Sequence, residues 1–153
     1  MNANVWRFLK GFSITLAILA GLFGLIQLVP YGRTHSNPRI VQEPQWDSPR
    51  TRELAVRACF DCHSNETRWP SYANIAPFSW VVQRDVDAAR EVVNFSEWHR
   101  SFDLASYSGL SVRTGAMPPT KYRLAHPEAD LSAEETAELS RGLDATLKSP
   151  GQR

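Results

Sequence analysis

The chain has 153 residues, with 17 basic and 16 acidic side chains and a formal net charge of +1. That length suits one domain plus an appendage, and so balanced a charge leaves no electrostatic footprint for nucleic acid. The charge is unevenly placed. Arg7, Lys10 and Arg33 are three of the 17 basic residues and precede residue 34, leaving the remainder 14 basic against 16 acidic residues, a net of −2.

The first element is apolar. From Gly11 to Val29 the chain reads GFSITLAILAGLFGLIQLV, and no charge falls between Lys10 and Arg33. As a helix, the intervening residues span roughly 33 Å, about one hydrocarbon core. Ser13, Thr15 and Gln27 are its polar side chains, and short hydroxyls bond back to their own helix. A cleaved signal peptide is the competing reading. Its apolar region would be shorter and would end in a small-x-small site, whereas Leu22, Phe23, Leu25 and Ile26 continue the bulky run, so a retained anchor is expected. Arg7 and Lys10 favour a cytoplasmic N-terminus, although Arg33 and Arg39 weaken the asymmetry. The body is then expected in the periplasm, held by a single pass through a bacterial inner membrane.

Residues 30–47 are rich in proline and polar groups and read as a leader into the domain. Ser48 followed by Pro49 reads as an N-cap with proline at the first helical position, opening a helix that runs to about His63. Trp69-Pro70 and Ala76-Pro77 break regular structure in an aromatic-rich loop. A second helix is expected from Ser79 to about Phe95, with Trp80, Val81, Val86, Ala89 and Val93 as its stripe. Residues 103–125, around Gly109, Gly115 and Met117-Pro118-Pro119, read mostly as loop. The last helix is marked by a Ser132/Glu135 capping box and by Leu139, Leu143 and Leu147. No segment alternates like a strand, so the fold class is all-α.

The two cysteines stand three positions apart and a histidine follows: Cys59-Phe60-Asp61-Cys62-His63. Chance produces that arrangement in roughly 3 of 10,000 such chains, so it is read as a site. Its thiols are spaced to add across the two vinyl groups of one haem, which puts the His63 imidazole over the iron as proximal ligand. Three alternatives compete. Structural zinc needs about four ligands, and His35, His99 and His126 have no paired spacing. A thioredoxin-like dithiol wants a βαβ context, and a disulfide across two residues is strained.

Met117 is the thioether on the body side of the anchor and the expected sixth ligand, in a loop that Gly115 lets approach closely and Pro118 and Pro119 restrict. His126 is the main substitute, ahead of His99. Thioether ligation favours ferrous iron and a higher potential. With both axial positions filled, electron transfer is expected rather than enzymatic turnover. Arg68, Arg84 and Tyr122 are candidate propionate partners, each more readily read as a surface side chain. Trp69, Tyr72 and Trp80 are read as core aromatics before porphyrin contacts. The acidic start of the last helix is read as a dipole effect.

These residues resemble the bacterial haem-binding domain proteins, small membrane-anchored relatives of cytochrome c. The likeness lies in Cys59 through Pro70 (CFDCHSNETRWP), Ala76 through Trp80, Asn94 through Trp98, and Met117-Pro118-Pro119 with Tyr122 and His126-Pro127, and it covers roughly residues 45–147. It implies a single c-type haem attached at Cys59 and Cys62, with His63 as ligand. One departure is visible, since Arg84 stands where a histidine is expected in many relatives. The sequence thus leads us to expect a membrane anchor over 1–32, a tether over 33–47 and a cytochrome c-like helical domain over 48–149 around one covalent haem c. Redox proteins of the periplasm or inner membrane are the expected partners. A haem enzyme or ligand sensor with an open sixth position, and a haem-free zinc or disulfide module, are the alternatives.

Overall fold

A helix starts where a side chain can satisfy its first amides and stops where proline, glycine or a lost cap intervenes, and those signals account for most element boundaries here. The computed structural model describes residues 2–147, so the expected domain end at 149 lies outside the described residues. All regular elements among the described residues are helical, and none is a strand. They group into two compact units, residues 2–35 with 70–83, and residues 36–69 with 84–147.

The first unit is built on α1 (Ala3–Ile26), a helix long and apolar enough to cross a membrane. Its two hydroxyls are satisfied internally: Ser13 Oγ donates to the Leu9 carbonyl at 3.0 Å and Thr15 Oγ1 to that of Gly11 at 3.1 Å. Apolar residues are exposed all around it, from Val5 to Leu25. A helix apolar on every side needs an apolar surrounding. At its end, Gln27 holds the backbone of Ala76 in both directions, donating to its carbonyl at 2.8 Å and accepting its amide at 3.0 Å. His35 Nε2 lies 3.2 Å from the Ala73 carbonyl. Gly32 has a φ of +78° and sits where a Cβ would strike the Ser79 carbonyl, so glycine is required on two counts.

The second unit carries α2 (Pro49–Ala58), α3 (Phe60–His63), the C-terminal part of α4 (Phe78–Val92), α5 (Ser108–Arg113), α6 (Thr120–Ala125) and α7 (Ala133–Leu147). Ser48 caps α2, its Oγ accepting the Thr51 amide at 3.1 Å, with Pro49 in the first turn as expected. The expected single helix to His63 is instead broken at Cys59, whose backbone leaves helical geometry at φ −127°, ψ −36°. The capping box of α7 forms both of its bonds, Glu135 N–H to Ser132 Oγ at 3.2 Å and Ser132 N–H to Glu135 Oε2 at 3.1 Å.

The core joins Leu54, Ala55 and Ala58 of α2 to Leu139 and Leu143 of α7 and to Phe60, Val93, Phe95 and Val112. Two glycines allow close helix crossings. A Cβ on Gly142 would strike Thr51 on α2, and one on Gly109 would strike Asp144 and the Ser140 carbonyl on α7. The stretch read as a tether has no helix, but from Asn37 onward it is bonded to the body. Asn37 Nδ2 donates to the Thr67 carbonyl at 2.9 Å, and Val41 N–H and Trp98 N–H donate to the Ser96 and Gln42 carbonyls, each at 2.9 Å. Trp46 packs on Phe95 at 5.2 Å between ring centroids. Residues 103–125, read as loop, contain α5, α6 and one short 3₁₀ turn, Ala105–Tyr107.

Candidate functional site

The break at Cys59 turns the chain so that α3 follows α2 as a separate turn carrying Cys62 and His63. The His63 amide donates to the Cys59 carbonyl at 2.9 Å and closes that turn. The imidazole is fixed from the other side. Nδ1 lies 3.1 Å from the Ala89 carbonyl and 3.0 Å from the Val93 carbonyl, at the end of α4. Facing two acceptors, Nδ1 carries the proton, which leaves the Nε2 lone pair available to a metal. Burial pulls the His63 pKa below its ordinary value despite those carbonyls, which favours the neutral ring.

A cleft opens beside this ring. It is lined by Cys59, His63, Val92, Val93, Phe95, Leu104, Tyr107, Ser108, Ser111, Val112, Met117 and Leu143. The lining is apolar, yet Leu104, Tyr107 and Met117 stay exposed, at 52%, 57% and 40%. Exposed apolar side chains gathered around a cleft mark a place for an apolar ligand.

Met117 reaches the cleft through its loop. Gly115, at φ +74°, ends α5 in the left-handed region, and the amides of Thr114, Gly115 and Met117 return to the carbonyls of Leu110, Val112 and Ser111. The sequence-predicted residues Cys59, His63 and Met117 thus share one cleft; Cys62 stands one turn along, next to it in the chain. His126 is not in the cleft lining. It stacks on Tyr122 at 4.2 Å between ring centroids and lies 3.6 Å from Glu128. His99 is exposed on the surface.

Both thiols are free. Burial first, then the neighbouring Cys62, pushes the Cys59 thiol up to about 12, and burial pushes Cys62 up to about 11. A redox-active dithiol needs a lowered pKa, which these cysteines lack. Among the described residues no group of three or more His, Cys, Asp or Glu side chains gathers to hold a metal ion. Two thiols next to an oriented imidazole in the chain, and a thioether lining the same apolar cleft as that imidazole, fit a covalently held haem in their donor chemistry.

Two of the three propionate candidates are otherwise engaged. Arg68 donates to Asp61 through its backbone amide at 3.1 Å, Nε at 3.0 Å and an Nη at 2.9 Å, and Tyr122 donates its hydroxyl at 2.6 Å. Burial alone would raise the Asp61 carboxyl, but the bonds from Arg68 and Tyr122 outweigh it and hold it below its usual value. Arg84 is exposed. The clamp ties the turn between the two cysteines to α6, just beyond Met117. A second network holds the chain after His63: Asn65 Oδ1 accepts from Asn94 Nδ2 at 2.9 Å, Asn65 N–H donates to Ser96 Oγ at 3.0 Å, and Phe95 N–H donates to the His63 carbonyl at 2.8 Å.

The carbonyls of Ala89 and Val93 and the cleft walls Leu104, Tyr107 and Val112 escaped the sequence reading. Carbonyls carry no sequence signature, and these wall residues lie in or beside helices too short for a full apolar period. A family model described as a haem-binding domain matches residues 21–145 of the chain. No curated protein and no solved structure matches it.

Proposed function

The chain belongs to the haem-binding domain family and so binds haem, and we propose that it does so as a membrane-anchored, periplasmic, mono-haem c-type cytochrome that passes single electrons between redox proteins. In this reading Cys59 and Cys62 would hold the haem as thioethers, and His63 Nε2 and Met117 Sδ would ligate its iron. When bound, the haem supplies a one-electron ferric/ferrous couple. The protein's own groups orient and shield it. The Ala89 and Val93 carbonyls fix the imidazole, and the Leu110 and Ser111 carbonyls hold the Met117 loop. The buried side chains of Val93, Phe95, Val112 and Leu143 give the cleft an apolar lining. The observation that carries the proposal is that His63, with Nδ1 tied to backbone and Nε2 left as donor, and Met117, the thioether of the body, line the same apolar cleft.

Optical spectroscopy of the purified holoprotein tests it. A low-spin reduced spectrum that carbon monoxide leaves unchanged is expected. A high-spin, carbon-monoxide-binding spectrum would replace electron transfer with a haem enzyme or ligand sensor, and a colourless protein would leave a haem-free module.

A further inference from the structure

Charge divides the chain in a way that hydropathy alone does not reveal. All 16 acidic residues lie outside residues 2–35 and 70–83. The stretch from Trp69 to Gln83 carries no formal charge, as residues 11–32 carry none. The structure brings these two uncharged stretches together. Gln27, one residue past the end of α1, pairs with the backbone of Ala76 in both directions, and Gly32 lies against Ser79. Segment 70–83 is therefore fastened to the last turn of the apolar helix. Its buried side is made of small residues: Ala73, Ala76 and Ser79 are each 0% exposed. Several of its bulky apolar residues point outward instead, while Trp80 and Val82 are half-buried. Ile75, Phe78 and Val81 are exposed, and so are Leu28, Val29 and Tyr31 on the stretch it is fastened to; Phe78 is 59% exposed. A water-facing surface would place the small or polar residues outside and the bulky ones within. Arg33 completes the patch with the one basic side chain in residues 27–34.

We propose that segment 70–83, with residues 28–31, forms a second membrane contact that lies in the headgroup and upper acyl region where α1 leaves the bilayer. Three features favour lipid over a protein partner: continuity with the end of the apolar helix, the absence of any acidic residue to repel anionic headgroups, and aromatic Tyr31 and Phe78 at the level where such rings collect at membrane interfaces. This inference rests on the reading of α1 as a retained anchor.

Photo-crosslinking separates the two. The full haem-loaded chain is placed in vesicles of phosphatidylethanolamine and phosphatidylglycerol with one photoreactive substitution at a time: Phe78→benzoylphenylalanine, Leu19→benzoylphenylalanine within α1, or Leu124→benzoylphenylalanine, an apolar position 81% exposed on α6. Lipid adducts at 78 and 19 are expected at roughly tenfold the yield at 124, about the partition excess from burying one apolar side chain. An adduct at 19 without one at 78 overturns the second contact and leaves the anchor standing. No adduct at 19 overturns both. A crosslink from 78 to protein, or lipid yields at 78 and 124 that match, overturns the lipid assignment of this surface.

Discussion

Tyr122→Phe removes one hydroxyl from the clamp on Asp61 and leaves the ring that stacks on His126 at 4.2 Å in place. Asp61 is 6% exposed and accepts four hydrogen bonds, three from Arg68 and the shortest, at 2.6 Å, from Tyr122. A hydrogen bond to a charged group contributes roughly 1.5–3 kcal/mol, and the half-buried phenol belongs at the lower end, about 2 kcal/mol. For a body of this size that corresponds to a fall in Tm of roughly 6–10 °C. Thermal melts of the holoprotein followed by circular dichroism measure it. A double-mutant cycle with Asp61→Asn isolates the pair, with a coupling of about 1.5 kcal/mol expected. Since α6 begins three residues beyond Met117, the same variant should also weaken the near-infrared sulfur-to-iron band of the ferric protein. A shift within about 1 °C, or strictly additive single mutants, would refute the clamp.

Three further outcomes are expected. Gly142→Ala gains about 1 kcal/mol of helix propensity but drives a methyl into buried Thr51, an overpacking cost of roughly 1–3 kcal/mol, so the melt should fall and Thr51→Ala should restore most of the loss. Glu43, Asp61 and Glu97 titrate below their ordinary values, and Arg57 with the Ser132 amide holds Glu135 at about 2. The unfolded chain then binds more protons, so stability is full above about pH 4.5 and falls as pH drops toward 2, with a shallower acid limb in Glu135→Gln in a melt-versus-pH series. Met117→Ala should open the sixth position, admit carbon monoxide and lower the haem potential by on the order of 0.1–0.2 V in potentiometric titration.

Local signals that act within a few residues were the legible part of this fold. The Ser48-Pro49 start and the Ser132/Glu135 box each form the bonds their spacing predicts, and the uncharged run from residue 11 is helical as far as Ile26, in a helix that begins at Ala3. What escaped depends on partners distant in the chain. The break at Cys59 comes without proline or glycine, so no residue type announces it. α5 and α6 are six residues each, too short for an apolar period to emerge. Bonds of residues 37–47 reach Asn65, Thr67, Ser96, Trp98 and Thr146, which no local pattern reveals. Arg68 and Tyr122 were legible as polar groups near the site, but their shared acceptor, Asp61, reads in sequence as a spacer between cysteines.

Covalent attachment is tested most directly by intact mass of the mature chain, expressed with c-type maturation machinery, followed by peptide mapping. One haem on the peptide that contains Cys59 and Cys62, retained by the polypeptide through acid–acetone extraction, is the expected result. Pigment that passes into the acetone, or a mature chain with no added haem mass, contradicts it.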